Sequence, residues 1–210
     1  MKTQKLTMMA ICITLLCISS YIAFPLPFTP TPVTAQTVMI NVIALLLRPK
    51  EVITTVGLYL LIGLIGFPVF AGGTSGLAPI LSLNGGFILA FLIVAPIMSL
   101  IKEVGAQNFK SYLLITVFVG MPIIYLIGAL WMALVGHMDI KAAMSVAVLP
   151  FMLGDMLKCF IASILVLRLQ TFKVTKQKRS LTTDCLFSLN YDFFNNCLIK
   201  HLLLLFEKIF

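Results

Sequence analysis

Two side chains of opposite charge stand out within an apolar part of the sequence. Asp155 and Lys158 lie in the stretch Pro150–Lys158, and no other acidic or basic residue occurs between Lys141 and Arg168. An Asp or Lys at the centre of a membrane helix costs roughly 2.5–3.5 kcal/mol. A spacing of three residues places both side chains on one face of a helix. We interpret the pair either as a neutralised ion pair that fixes helix packing or as part of a ligand site facing a cavity.

Other polar residues suited to a small ligand occur in apolar surroundings elsewhere in the chain. They are Thr34, Gln36, Thr37 and Asn41 in a short apolar stretch, Thr74, Ser75, Asn84, Gly72-Gly73 and Gly85-Gly86 in a Gly- and Pro-rich loop, and Tyr125. A carboxylate ligand would favour a cation such as Lys158, whereas a ureido or amide group would favour Asn84, Gln36 and Asp155. Gly85-Gly86 would let a ligand approach N–H groups at the start of a helix. The alternative is that Gln36 and Asn84 cap helices or bridge neighbouring ones.

The segments that must position these groups are long and apolar. The chain has 210 residues, of which 60% are hydrophobic and 10% charged, a composition unlike that of soluble globular domains. Apolar runs of about 18 or more residues are long enough to span a bilayer. We therefore expect an all-α, polytopic membrane protein with six transmembrane helices. Their expected ranges are about Leu6–Phe24, Val33–Leu47, Val52–Phe67, Gly86–Ile101, Ser111–Val135 and Ala142–Leu169.

The positions of the basic residues predict how these helices are oriented. With the N-terminus in the cytoplasm, the inner segments contain Lys2, Lys5, Arg48, Lys50, Lys102, Lys110, Arg168, Lys173, Lys176, Lys178 and Arg179, and the outer segments contain Lys141. Cytoplasmic loops of membrane proteins carry such an excess of positive charge. Both termini are therefore expected to be cytoplasmic. The net charge of +8 is then explained by membrane topology, and no nucleic-acid partner is expected.

The N-terminal apolar segment and the basic C-terminal segment each carry a separate prediction. Met1–Phe24 begins like a signal peptide but lacks a clean cleavage site close behind its apolar core, so we expect a retained first helix. Residues 1–170 are expected to form a six-helix substrate-binding domain. Residues 171–210 are expected to form a basic cytoplasmic tail beside membrane lipids, in which Cys197–Phe210 could form an amphipathic interfacial helix.

Catalytic and metal-binding patterns are missing from the sequence. It contains neither G-x-x-x-x-G-K-[ST] nor H-E-x-x-H, and its five cysteines form no C-x-x-C. We therefore expect no metal, no cofactor and no ATP hydrolysis by this chain. Ser163 lies five residues from Lys158, at the wrong helical angle for a nucleophile and its base. Two alternatives stay open: an intramembrane enzyme or assembly factor that uses Asp155 and Lys158 as acid and base, and a stand-alone secondary transporter.

Four separated stretches give the chain a resemblance to a known family. They are Pro30–Thr37 (PTPVTAQT), Gly66–Gly73 (GFPVFAGG), Asn84–Phe87 (NGGF) and Pro150–Lys158 (PFMLGDMLK). In order and spacing they resemble the motifs of BioY proteins, the biotin-binding substrate components (S components) of energy-coupling-factor transporters. The resemblance covers roughly residues 6–169. It implies six helices, high-affinity biotin capture at the outer side of a prokaryotic cell membrane, and separate partners: a transmembrane T component and two ATP-binding cassette ATPases.

The same resemblance implies roles for individual residues. It points to Asn84, Asp155 and Lys158 as biotin contacts, with Gln36 and the Gly72-Gly73 loop close by. S components also dock on the T component through an Ala-x-x-x-Ala face of the first helix, and the nearest equivalent here is Ala10-x-x-x-Thr14. Small residues of this kind let two helices approach closely. The chain departs from the family at Phe87, where many members have a tyrosine.

Overall fold

The computed structural model describes residues 2–24, 32–148 and 150–182, and this part of the chain is mostly helical. Its α-helices are α1 (Lys2–Tyr21), α2 (Gln36–Leu46), α3 (Pro49–Ile65), α4 (Ala78–Leu81), α5 (Gly85–Val104), α6 (Phe109–Ile115), α7 (Met121–Gly136), α8 (Ile140–Ala147) and α9 (Met152–Thr182). A 3-10 turn forms at Ala71–Gly73 and a π-helical segment at Thr116–Gly120. Two short strands, β1 (Ala23–Phe24) and β2 (Val33–Thr34), pair antiparallel between α1 and α2.

The helix α2 lies at the centre of the packing. It contacts α1, α3 and α5, and nine of its eleven residues are buried. A helix that is apolar on nearly all sides belongs in a protein core, because it offers no face to solvent. The polar residues Gln36 and Asn41 are buried there nonetheless, with exposed fractions of 3% and 4%. Buried polar side chains in such surroundings need a partner or a function.

The C-terminal end of α2 is held by a cation from α5. The ammonium of Lys102 donates hydrogen bonds to the carbonyl oxygens of Leu47 and Ala44, and its side chain is buried. The last carbonyls of a helix have no partner within the helix and carry partial negative charge. Lys102 therefore stabilises the junction between α2 and α5.

The helix α3 begins and ends at residues whose local chemistry favours a helix boundary. Pro49 occupies the first turn, where its missing N–H has no cost. Glu51 accepts a hydrogen bond from the backbone N–H of Arg48 at 3.3 Å. Gly66 ends the helix with a φ of 116°, which a residue with a side chain rarely adopts. The uncharged loop that follows turns back onto the helices and buries Phe70 completely.

Three helical stretches of the described chain are long and apolar enough to cross a bilayer. They are Thr3–Tyr21, Gly85–Val104 and Phe109–Gly136. The last joins α6, the π-helical segment and α7 into one run of 28 residues, at the position of the fifth expected span. The helix α2 is a shorter apolar helix. The count of six spans and the cytoplasmic position of both termini stay predictions.

The prediction of one continuous helix over about Ala142–Leu169 is wrong. The structure contains two helices, α8 and α9, and α9 begins only at Met152. Pro150 explains the break, because proline lacks an N–H and disfavours the helical conformation of the residue before it. Asp155 therefore lies in the first turn of α9, where the helix dipole favours a negative charge.

Contacts divide the chain into two units, Met1–Val166 and Leu167–Phe210. The first contains every candidate site residue. The second is described as far as residue 182, where α9 ends. The amphipathic helix expected at Cys197–Phe210 lies outside the described residues.

Candidate ligand-binding site

A cavity of about 610 Å³, which includes the space at its open mouth, lies within the first unit. The helices α2, α5, α7 and α9 contribute to its wall, together with β2 and the 3-10 turn. The lining residues are Pro32, Val33, Thr34, Gln36, Thr37, Ala71, Asn84, Phe87, Ile88, Phe91, Ile124, Tyr125, Phe151, Asp155 and Lys158.

The structure brings the two charged residues together as the sequence predicts. The Lys158 ammonium lies 2.8 Å from Asp155 Oδ1, and the two side chains are only 12% and 13% exposed. The hydroxyl of Tyr125 donates a hydrogen bond of 2.7 Å to Asp155 Oδ2. Each carboxylate oxygen therefore receives one hydrogen bond and keeps a second lone pair, while Lys158 has further N–H groups beyond the one in the ion pair. The pair is both an ion pair and part of the cavity wall.

An aromatic wall that the sequence reasoning missed faces this charged group. Phe87 and Phe91, one turn apart on α5, line the cavity together with Phe151 in the turn before α9. Aromatic rings bury large apolar areas and favour stacking against planar or apolar ligand groups. The spacing of four residues between Phe87 and Phe91, directly after Asn84, was the signal available in the sequence.

Gln36 borders the cavity, and a hydrogen bond to Tyr59 fixes its side-chain amide. Its Nε2 donates a hydrogen bond of 2.5 Å to the hydroxyl of Tyr59, which donates in turn to the backbone carbonyl of Val69 at 3.0 Å. The ring of Tyr59 also packs edge-on against Phe70, with ring centroids 5.8 Å apart. One buried tyrosine therefore links a cavity residue of α2 to the Gly- and Pro-rich loop.

Asn84 lines the cavity immediately before α5, at the position that precedes the first helical residue. Its backbone N–H donates to the hydroxyl of Ser82 at 3.3 Å, and Trp131 of α7 donates to the Ser82 carbonyl oxygen at 3.1 Å. These bonds tie the turn before α5 to α7. Asn84 is thus held at the edge of the cavity by a short, fixed turn.

The predicted glycines lie near the cavity but do not line it. A Cβ atom at Gly85 would lie 1.6 Å from the carbonyl oxygen of Ile80, and one at Gly86 would lie 2.2 Å from Trp131 Cβ. In the structure, Gly85 and Gly86 allow α5 to pack closely against α4 and α7. Gly72 and Gly73 have φ values of 70° and 77° beside the lining residue Ala71, so they shape the 3-10 turn.

A smaller cavity, with room for about one water molecule, shares several of these residues. It is lined by Thr37, Asn41, Met121, Ile124, Tyr125, Asp155, Lys158 and Cys159. The helices α2, α7 and α9 supply all of its walls. Asp155 and Lys158 border both spaces, whereas Asn84 and Gln36 border only the larger one.

The candidate docking residues lie apart from both cavities. Ala10 and Thr14 are exposed and one turn apart on α1, and the Thr14 hydroxyl donates to the Ala10 carbonyl at 2.9 Å. Both side chains are small, as residues at close helix–helix contacts usually are. Across the described residues, no group of three His, Cys, Asp or Glu side chains could hold a metal ion.

Fold and site together define a helical membrane protein with an open cavity that has an aromatic wall and one ion pair. The sequence model of the BioY family matches residues 1–174, and the chain belongs to that family.

Relatives and a solved structure agree with this assignment. The protein named Biotin transporter BioY2 of Lactococcus lactis subsp. cremoris is 31% identical over 164 residues, which cover 78% of this chain and 88% of that protein. The Probable biotin transporter BioY of Pyrococcus horikoshii is 33% identical over 170 residues, with 81% and 98% covered. The S-component for biotin from an ECF-type ABC transporter, a crystal structure, matches with a TM-score of 0.76 at 28% identity and covers 81% of this chain and 92% of that one. The expected class, a helical membrane protein with an S-component fold, is confirmed.

Proposed function

We propose that this protein captures biotin and delivers it across the membrane as the substrate-specific component of an energy-coupling-factor transporter. Membership of the BioY family and the likeness to a biotin S-component support this function. The observation that carries it is the ion pair of Asp155 and Lys158 at the wall of an aromatic-lined cavity.

The cavity matches the chemistry of biotin. Biotin has a compact bicyclic body, a ureido group with two N–H donors and one carbonyl acceptor, and an aliphatic chain that ends in a carboxylate. The phenylalanine rings suit the apolar body and chain. Asp155, Lys158 and Asn84 supply an acceptor, a cation and an amide, and we propose them as the principal biotin contacts, with Gln36 and Tyr125 beside them.

The energy for transport is proposed to come from partner subunits. The sequence contains no P-loop, so ATP hydrolysis would fall to two ATP-binding cassette ATPases joined to a transmembrane T component. The exposed Ala10 and Thr14 surface of α1 is proposed to contact the T component. In this arrangement six helices, the first of them retained, span the cytoplasmic membrane of a prokaryote. Both termini and the basic tail then lie on the inner, lipid-facing side.

A binding measurement tests the proposal directly. Purified full-length protein in detergent or nanodiscs is titrated with radiolabelled biotin and then challenged with an excess of unlabelled biotin. We expect saturable binding that the competitor displaces. Wild-type protein that remains folded, as judged by circular dichroism, yet shows no saturable binding would contradict the proposal.

A further inference from the structure

Asn41 is the one buried side chain with an unpaired polar atom among the described residues. Its oxygen, Oδ1, has no hydrogen-bond partner, although the side chain is only 4% exposed. Its nitrogen, Nδ2, donates to Cys159 Sγ at 3.6 Å, and sulfur is a weak acceptor. Nearly all buried polar groups in native proteins are paired, so this acceptor calls for a donor.

Asn41 lies next to the ion pair of α9. It contacts Cys159, which lies one turn after Asp155 on the same face of that helix. Lys158 directly precedes Cys159 in the chain. All four residues line the smaller cavity. The unpaired oxygen of α2 and the charged residues of α9 therefore border one small space.

The size of this space and the groups around it select the occupant. The space has room for about one water molecule. Asn41 Oδ1 can only accept hydrogen bonds, and the Asp155 carboxylate keeps lone pairs beyond its bonds to Lys158 and Tyr125. A water molecule has two O–H donors, one for each acceptor. A metal cation would be repelled by the Lys158 ammonium, and an anion would meet acceptors at both Asn41 and Asp155.

We propose that one buried water molecule occupies the smaller cavity and donates hydrogen bonds to Asn41 Oδ1 and to a carboxylate oxygen of Asp155. Lys158 has further N–H groups with which to donate to the water oxygen, which completes the three hydrogen bonds typical of a buried water. Asn41 is then a positioning residue. It does not touch biotin, but through the water it fixes the carboxylate of Asp155. This role of Asn41 rests on the proposed biotin function, whereas the water site itself does not.

The first test is a crystal structure of the ligand-free, full-length protein at a resolution that shows ordered water molecules. We expect one density peak within hydrogen-bond distance, about 2.5–3.0 Å, of both Asn41 Oδ1 and an Asp155 oxygen. A well-ordered Asn41 side chain without such a peak, or with a peak that contacts Asn41 alone, would overturn the proposal.

The second test separates positioning from stability by two replacements of Asn41. Leucine has no acceptor, and its larger side chain fills the space of the water. Serine keeps an oxygen acceptor and leaves room for a further water molecule. We expect Asn41→Leu to weaken biotin binding about threefold to tenfold and Asn41→Ser to bind within about twofold of the wild type. Asn41→Ser should nevertheless have the lower melting temperature of the two variants, because its smaller side chain fills the core less well.

Affinity and melting temperature should therefore rank the two variants in opposite orders. Labelled-biotin binding and thermal unfolding in detergent measure them. A purely structural role of Asn41 would make the affinities follow the melting temperatures, and that result, or wild-type affinity in Asn41→Leu, would overturn the positioning role. If Asn41→Leu is not recovered folded, Asn41→Met, with its adaptable side chain, is measured in its place.

A matched variant controls for general effects of changing a buried polar residue. Ser163 is completely buried on α9 and lines neither cavity, so Ser163→Ala should bind biotin as the wild type does. Absence of the water from a protein that binds biotin would overturn this inference alone. Absence of biotin binding by the wild type would overturn the proposed function, and with it the positioning role of Asn41.

Discussion

At the scale of single residues, Asp155 and its two partners form one unit. Lys158 and Tyr125 each donate to a different carboxylate oxygen, and the two charges are largely withdrawn from solvent. Removal of one partner from a buried ion pair leaves an uncompensated charge, which costs more than the pair contributes. We therefore expect replacement of any member of this unit to change how the other two bind a ligand.

Replacement of either charge should weaken biotin binding. Asp155→Asn and Lys158→Ala are each expected to raise the dissociation constant more than tenfold, which corresponds to about 1.4 kcal/mol. Equilibrium binding of labelled biotin to purified protein measures the effect. Lys141→Ala, which removes an exposed lysine of α8, should bind as the wild type does. Wild-type affinity in either of the first two variants would exclude that residue as a biotin contact.

Loss of the Tyr125 hydroxyl should weaken biotin binding less than loss of either charge. Tyr125→Phe removes a hydrogen bond to a charged group, which contributes about 1.5–3 kcal/mol. Because the ion pair with Lys158 remains, only part of this energy should be lost from binding, and biotin affinity should fall about twofold to tenfold. The ring remains in the cavity wall, and the fold should be unaffected. Isothermal titration with biotin measures the difference. Tyr112→Phe serves as the control, since Tyr112 is buried but borders neither cavity, and a drop in affinity of equal size there would remove the argument for Tyr125.

At the scale of elements, the cavity depends on helix ends and one loop. The loop after α3 is attached at Val69 by Tyr59 and at Pro68 by the hydroxyl of Tyr21, which donates to the Pro68 carbonyl at 2.7 Å. Tyr59 is completely buried, whereas Tyr21 is exposed. A hydrogen bond that water can replace contributes little, so the two attachments differ in strength.

Loss of the Tyr59 hydroxyl should destabilise the protein. Tyr59→Phe leaves the Gln36 amide and the Val69 carbonyl buried without this partner, at a cost of about 1–3 kcal/mol in unfolding free energy. Thermal unfolding in detergent should show a clearly lower midpoint, and biotin affinity should fall because Gln36 is no longer fixed. Tyr21→Phe should change both quantities much less. Equal melting temperatures for the wild type, Tyr59→Phe and Tyr21→Phe would show that the loop is held by other contacts.

The ion pair between Lys5 of α1 and Glu51 of α3, with an N–O distance of 2.9 Å, should give a small pH-dependent stability. Partial burial of Glu51 alone would raise its pKa, but hydrogen bonds and positive charge from Lys5 and Arg48 outweigh burial and hold the pKa below its ordinary value of 4.5. A carboxylate with a lowered pKa in the folded state stabilises the protein above the unfolded-state pKa, and the effect is lost as pH falls through the folded-state pKa.

Lys5→Met should therefore lower the unfolding free energy by at most about 1 kcal/mol at neutral pH, because the pair is partly exposed. The difference from wild type should shrink as the pH is lowered below about 4.5, and it should also shrink in high salt. Melting temperatures of both proteins across pH and salt measure it. A difference that persists unchanged in acid would assign the effect to side-chain packing of Lys5.

At the scale of the whole molecule, the cavities and the proposed docking surface lie apart. The cavities lie within the helical bundle, while Ala10 and Thr14 face outward from α1. A bulky residue on an outward face can block a partner without reaching the cavity. The two functions should therefore be separable by mutation.

Ala10→Trp should impair transport but leave binding intact. A large side chain there prevents close approach of a helix of the T component, since such contacts require small residues. We expect reduced co-purification with the T component and reduced ATP-dependent biotin uptake in proteoliposomes, with unchanged biotin affinity. Leu130→Trp places the same side chain at an exposed position of α7 and should retain association. Normal association of Ala10→Trp would exclude this face as the docking surface.

Much of the site could be predicted from residue types and spacing. Asp155 and Lys158 are unusual in an apolar segment, and their spacing predicts the shared helix face that the ion pair confirms. Gln36, Asn84 and Tyr125 were identifiable as polar groups in apolar surroundings, and all three line the cavity. The aromatic wall was missed because phenylalanine in a membrane helix usually faces lipid or another helix, and sequence alone does not distinguish these environments.

What the sequence determined by itself was the membrane class, the family and the charged pair, because apolar run length, motif order and an i, i+3 spacing are local properties of the chain. Tertiary structure decided the rest. It assigned Gly85 and Gly86 to helix packing and placed Tyr59 between Gln36 and the loop. It also left Asn41 Oδ1 unpaired beside Asp155. These outcomes depend on which helices meet and how closely, and contacts between residues far apart in the chain are set only when the helices pack.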